Sequence, residues 1–283
     1  MVNRKDSNGS KQNKSPASSG KSSASSGKSA ASSGKSSASS GKSAASSGKG
    51  GTKKSIDAEL TPIDIVWALM ETADLCEDDD EALEIYARAT QLAEQILPKQ
   101  KPKGNLWSDN SWRTYLTARA RLSSILWTIG ERQLALKHFR QLVALNPQNN
   151  MGMCQVLASA LFDMGCDDEL EKLLDEQLDQ DPCATYLYTK ALFLYRQHGD
   201  CASANDALLD AMQYNYFVPL YLFSQLPLPP EPPDTIGEGD EREAVSYVMD
   251  NAESWAETAG AAEWMAERIN VLAASAKKPK RRR

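Results

Sequence analysis

From residue 116 to 215 the apolar positions recur as pairs of runs, each spaced for one face of a helix, and a glycine splits every pair. Gly130, Gly165 and Gly199 lie 35 and 34 residues apart. In the first unit Leu122, Leu126, Ala135, Phe139 and Leu142 flank Gly130 and lead to Pro147. A shift of 35 residues gives Leu157, Leu161, Gly165, Leu170, Leu174, Gln177 and Pro182, and a further 34 gives Ala191, Tyr195, Gly199, Ala204, Leu208, Ala211 and Tyr216. Glycine permits the tight exit from a first helix, and Asn146-Pro147 and Asp181-Pro182 end the second. A single helical hairpin cannot bury both of its faces, so successive hairpins are expected to stack.

Upstream, Ile63, Val66, Trp67 and Met70 mark one face of a helix over 57–75, entered through Thr61-Pro62. The acidic turn 77–80 leads to a second helix carrying Ala82, Leu83, Tyr86, Ala89 and Leu92 and ending before Pro98. A polar linker over 98–105 follows, and Trp107 and Trp112 open the next packed region.

The spacing over 116–215, together with its residue set, resembles the tetratricopeptide repeat family. Its small positions are filled by Ser123, Ala158 and Leu192 in the first helices and by Ala135, Leu170 and Ala204 in the second, with Phe139, Leu174 and Leu208 at the large position. Leu170 and Leu192 depart from the pattern, so the later units are expected to pack less regularly. The resemblance implies an all-α, right-handed helical-hairpin solenoid whose first helices line a concave, protein-binding face. After the repeats, Val218-Pro219, Tyr221-Leu222, a proline-rich crossing, Gly239-Asp240, Glu243-Ala244, Tyr247, Trp255 and Trp264 look like the C-terminal region of the suppressor-of-tumorigenicity-seven family. The membrane association of that family's animal members does not transfer, because no run of 18 apolar residues occurs here.

Charge is segregated along the chain. The net charge of -6 combines eleven Lys or Arg against one acid in 1–54, six bases and no acid in 277–283, and a body near -22. From Ser22 the tail repeats a seven-residue unit, SSASSGK or SAASSGK, that places no apolar knob on a heptad seam, so it is expected to be disordered. The expected organisation is a basic tail (1–54), a helical body (55–276, with a first pair over 55–97, three hairpins over 106–215, and a crossing and last helices over 216–276) and a basic end (277–283). Five scattered cysteines and a polar N-terminus point to a reducing compartment: the cytoplasm, or the nucleus in a eukaryotic host.

No catalytic or cofactor constellation stands out, and no cofactor or metal site is expected. The tail's Gly-Lys-Ser units lack the two glycines five apart, and the strand before them, that a phosphate-binding loop needs. His138 and His198 are the only histidines, and the cysteines lack paired zinc spacing. The acidic runs 78–80, 167–169 and 240–243 stand where helices begin and are expected to cap them. Cys201 near His198 has no orienting third group. The six tryptophans are expected to pack in the core, and 227–233 to form a stiff crossing.

A binding surface has the better physical basis. Arg119, Gln155, Tyr188 and Lys190 on the first helices are the candidate partner contacts, and the acidic body favours a basic or amphipathic protein segment. Lys53, Lys54, Lys277, Lys278, Lys280, Arg281, Arg282 and Arg283 are candidate polyanion contacts for an alternative, nucleic-acid-associated adaptor. An enzyme with a pocket between solenoid and C-terminal helices is the third reading. The oligomeric state does not follow from the sequence.

Overall fold

The computed structural model describes residues 60–276, the side chains of 275 and 276 excepted. The expected disordered basic ends and all eight polyanion candidates lie outside the described residues. Within them the fold is all-α: α1 (Pro62–Asp74), α2 (Asp79–Gln95), a 3-10 turn (Leu106–Ser108), α3 (Asn110–Thr128), α4 (Arg132–Leu145), α5 (Met153–Asp163), α6 (Asp167–Gln180), α7 (Ala184–His198), α8 (Ala202–Tyr214), α9 (Phe217–Leu222), α10 (Glu241–Glu257) and α11 (Ala261–Ala276).

Local chemistry sets many of these ends. Thr61 and Asp64 form a reciprocal capping box ahead of Pro62 at the first helical position. Asp78, Asp109 and Asp240 cap α2, α3 and α10 by accepting backbone N–H bonds. The run 167–169 fills the first turn of α6, as expected, but supplies no side-chain cap. Cys166 precedes α6 without a side-chain cap, while Asp167 pairs with Arg196 and Glu169 with Arg140, so two of these carboxylates tie hairpins together. Gly130 and Gly165 take φ of 91° and 64°, which lets Glu131 N–H and Cys166 N–H reach back to the carbonyls of Leu126 and Leu161 at 2.9 Å each.

Helices pack as hairpins, α1 on α2, α3 on α4, α5 on α6 and α7 on α8. The array passes through α2 to α3, through α4 to α5, and from α5 and α6 to α7. Its core is a continuous apolar seam that includes Leu116, Leu136, Phe139, Leu142, Leu161, Leu174 and Leu208. Leu170 and Leu192, the two large residues at small positions, are themselves buried in it. Trp255 and Trp264 are buried, and Trp67, Trp107, Trp112 and Trp127 pack against the core from its edge. The result is a tetratricopeptide-like array of helical hairpins, extended by α9, a crossing over 223–240, and the last two helices.

Candidate binding trough

The first helices carry rows of equivalent residues under the 34- to 35-residue shift. Ala120, Gln155 and Thr189 form one row, Ser124, Ser159 and Phe193 a second, and Thr128, Asp163 and Gln197 a third. At its C-terminal end this face is already occupied. α10 packs on α5 and α7 and runs in their direction. Its first turn meets the start of α7, where Glu243 accepts from Ala184 N–H at 2.8 Å. Near its end, Ser254 donates to Asp163 at the end of α5 at 2.7 Å.

Aromatic rings fill the space between. Tyr188 of α7 lies 5.4 Å from the Tyr247 ring and 6.5 Å from Trp255, and Trp255 Nε1 donates to Tyr247 Oη at 2.8 Å. Tyr195 stacks on Trp264 at 4.4 Å, so α11 closes on α7 as well. Ring burial of this size is what anchors a helix on a surface.

A buried polar latch fixes the register. One Glu243 oxygen serves Ala184 N–H; the other accepts from Asn215 Nδ2 at 3.1 Å and Gly239 N–H at 2.8 Å. Asn215, fully buried, also donates to the Asp240 carbonyl, accepts from Phe217 N–H, and through its own carbonyl accepts from Tyr188 Oη at 2.7 Å. Every member has partners, which is the condition for a buried network to stabilise a unique packing. The sequence did hold a signal for it: Glu243 shares the buried stripe of α10 with Ala244, Tyr247, Val248, Asn251 and Trp255, and a carboxylate inside such a stripe needs donors from elsewhere.

The four candidate contacts fare differently. Tyr188 is corrected: it has no exposed surface, and burial drives its phenol pKa far above the ordinary range. It is a seat for α10 and cannot meet a partner. Arg119, half-exposed, reaches across to the next helix, its Nε donating to His138 Nδ1 at 3.1 Å and its other nitrogens to Tyr115 and Gln141, so it ties α3 to α4. Burial, with Arg119 and Lys137 nearby, lowers the His138 pKa. Gln155 accepts from Asn149 at 2.7 Å and stays half-exposed, and Lys190 pairs with Asp175 at 3.1 Å on the surface. Each of the four bonds to neighbours other than one another.

Where α5, α7 and the α10–α11 turn meet, an open hollow of about 480 Å³ is lined by residues that include Phe162, Asp163, Tyr195, Arg196, Ser254 and Glu257. Desolvation raises the Asp163 pKa, opposed by the Ser254 hydrogen bond and the Arg132 charge, with smaller raising contributions from Glu253 and Glu257. Arg196 is engaged, lying 3.8 Å from the Phe162 ring centroid and donating to the Phe162 carbonyl and Asp167. The hollow brings no histidine or cysteine to Ser254, whose hydroxyl is committed to Asp163. Among the described residues no three His, Cys, Asp or Glu side chains form a group able to hold a metal ion, and no helix is long and apolar enough to cross a membrane. The five cysteines are unpaired thiols, and burial pushes Cys183 up to about 11.

No protein-family model matches the chain. Over 88 residues, 31% of this chain and 18% of the relative, it is 39% identical to the antiviral innate immune response effector IFIT1 of Macaca fascicularis, so the match spans less than a fifth of that protein. A solved structure of Podosopora anserina putative kinesin light chain nearly identical TPR-like repeats is similar at a TM-score of 0.38 and 13% identity, covering 77% of this chain and 95% of that one. That likeness is too loose to add to the fold read from the helices, and neither comparison bears on the resemblance to the suppressor-of-tumorigenicity-seven family. What the hairpins, their glycine turns and their 34- to 35-residue spacing establish is a tetratricopeptide-like repeat protein.

Proposed function

We propose that this chain is a noncatalytic protein–protein interaction scaffold that receives a basic or amphipathic segment on the part of its first-helix face left open by α10. The carrying observation is the closure of that face over α5 and α7 by the chain's own α10, while Gln155, Val156 and Ser159 of α5 remain accessible. Helical-hairpin arrays of this kind are typical protein-binding scaffolds, because stacked first helices present a preformed surface. Charge supports the partner's sign: residues 60–276 carry 35 Asp or Glu against 15 Lys or Arg. Such a surface attracts a basic segment and repels acidic competitors and nucleic acid.

The test is affinity capture from native extract with the full chain and with residues 55–276, at low and moderate salt, followed by mass spectrometry. Retention of the same protein partner by the tail-free body supports recognition by the array. Loss of every partner with the tails, and nuclease-sensitive capture by the full chain, would replace this reading with a polyanion-binding adaptor that uses Lys53, Lys54 and the 277–283 cluster.

A further inference from the structure

We propose that the crossing between α9 and α10 is a second docking element: Pro227-Leu228-Pro229-Pro230 is a polyproline II ligand for a partner domain whose groove is lined by aromatic side chains and rimmed by Lys or Arg. This surface is separate from the first-helix face, so the proposal does not rest on the reading above.

The sequence sets the conformation. Proline fixes its own φ at about −65° and holds the residue before it in the extended region. Leu226, Leu228 and Pro229 each precede a proline, and Pro227, Pro229 and Pro230 are prolines themselves. The run 226–230 is therefore held close to polyproline II before any partner arrives. Pro230 is followed by Glu231, and there, at 230–231, the chain bends. The bend separates two overlapping Pro-x-x-Pro registers, closing the one from Pro227 to Pro230 and interrupting the one from Pro230 to Pro233. Pro232 and Pro233 are also half-buried, whereas Pro227, Leu228, Pro229 and Pro230 are all exposed. Only the first register is open to a partner.

Both ends of the crossing are tied down. Upstream, Gln225 and Leu226 N–H donate to the Leu220 carbonyl at 2.8 and 3.2 Å, and Leu226 packs against the core. Downstream, Arg242 Nη1 donates to Thr235 Oγ1 at 2.7 Å. Between these anchors the described residues 227–234 make no hydrogen bond, ion pair or ring contact. The middle of the crossing thus presents apolar rings and unbonded carbonyls outward, already ordered, which lowers the entropy lost on binding.

The chemistry selects the partner. At three residues per turn, Pro227 and Pro230 fall on one ridge, which fits between flat aromatic side chains, while the carbonyls accept from indole N–H or phenol O–H groups of the groove. Prolines lack the N–H that strand pairing needs, so addition to a sheet edge is excluded as the mode. Charge sets the rim: Glu231, Asp234 and Glu238 are exposed, and no Lys or Arg occurs between Leu226 and Arg242.

The experiment titrates the full-length protein into fluorescently labelled, purified SH3, WW and EVH1 domains, chosen in each class with basic and with acidic rims, at moderate salt and read by anisotropy. A peptide of residues 224–236 is the free-ligand control. The expected result is saturable binding by a basic-rimmed domain, at least as tight to the protein as to the peptide. A tenfold or greater loss is expected in Pro227→Ala/Pro230→Ala, and a several-fold loss in Glu231→Lys/Asp234→Lys. Both variants should keep the parent's thermal midpoint within a few degrees, because the altered side chains are exposed and unbonded. Saturable binding by none of the domains, binding to the peptide but not to the protein, a preference for acidic rims, or an unaltered affinity in the proline variant would overturn the proposal.

Discussion

Replacing Glu243 by glutamine tests the latch that seats α10, because the change keeps shape and volume while removing one acceptor. The carboxylate serves three donors: Ala184 N–H on one oxygen, Asn215 Nδ2 and Gly239 N–H on the other. A glutamine amide has a single carbonyl. Turned toward Asn215 and Gly239, it sets its NH2 against the N–H of the fully buried Ala184; turned the other way, it orphans two donors. The better orientation leaves one buried donor unpaired, at about 1–3 kcal/mol, and the remaining two bonds lose their charge assistance. The expected cost is therefore about 2–3 kcal/mol, which for an array of this size is a fall in thermal midpoint of roughly 5–10 °C. Glu243→Ala strands all three donors and is expected to cost about 3–4 kcal/mol, water entry offsetting part of the loss. Circular dichroism melts give the midpoint, and hydrogen exchange at the Ala184 amide and along α10 shows whether the loss is local. A Glu243→Gln protein within about 0.5 kcal/mol of the parent, with Ala184 still protected, would refute the triple-acceptor account; 0.5 kcal/mol is the low end of a single net hydrogen bond.

Further outcomes follow from the same geometry. Gly260→Ala places a Cβ 2.7 Å from Tyr195 Oη at φ 79°, and since that ring is stacked on Trp264 the expected cost is about 3 kcal/mol. Gly165→Ala, at φ 64° in open space, pays only the left-handed backbone term of about 1–2 kcal/mol, so urea midpoints should rank the two in that order. Tyr188→Phe should cost about 1 kcal/mol for the lost bond to the Asn215 carbonyl, and Tyr188→Ala about 3–5 kcal/mol, with melts as the readout. For His138, whose pKa is lower folded than unfolded, protons bind the unfolded chain first as the pH falls. The stability contributed by the neutral imidazole is intact above about 6.5 and declines below it until the folded-state pKa is reached. His138→Gln should flatten this part of the pH profile between urea midpoints at pH 7.5 and 5, and an identical slope in parent and variant would count against it.

Much of the array was legible beforehand because its causes are local. The three glycines, the Asn-Pro and Asp-Pro stops and the helical spacing of Leu122, Leu126, Phe139 and Leu142 act within a hairpin, and the hairpins formed where they indicated. The candidate site was less legible. Tyr188 and Arg119 sit on first helices, as a partner contact should, yet position on a helix does not say what covers it. Burial of Tyr188 depends on Tyr247 and Trp255, some sixty residues away in sequence, and the engagement of Arg119 depends on His138 and Gln141 of the next helix.

By itself, then, the sequence determined the helical periods, the turns between them, the stacking that one-sided hairpins demand, and the separation of an acidic body from basic ends. Each of these follows from residue types and spacing within about 35 residues. Only the tertiary structure decided that α10 lies against α5 and α7 and that Glu243 and Asn215 hold it there. Those outcomes depend on which donors, rings and carboxylates meet across 30 to 90 residues of chain, and such encounters are set by how whole helices pack.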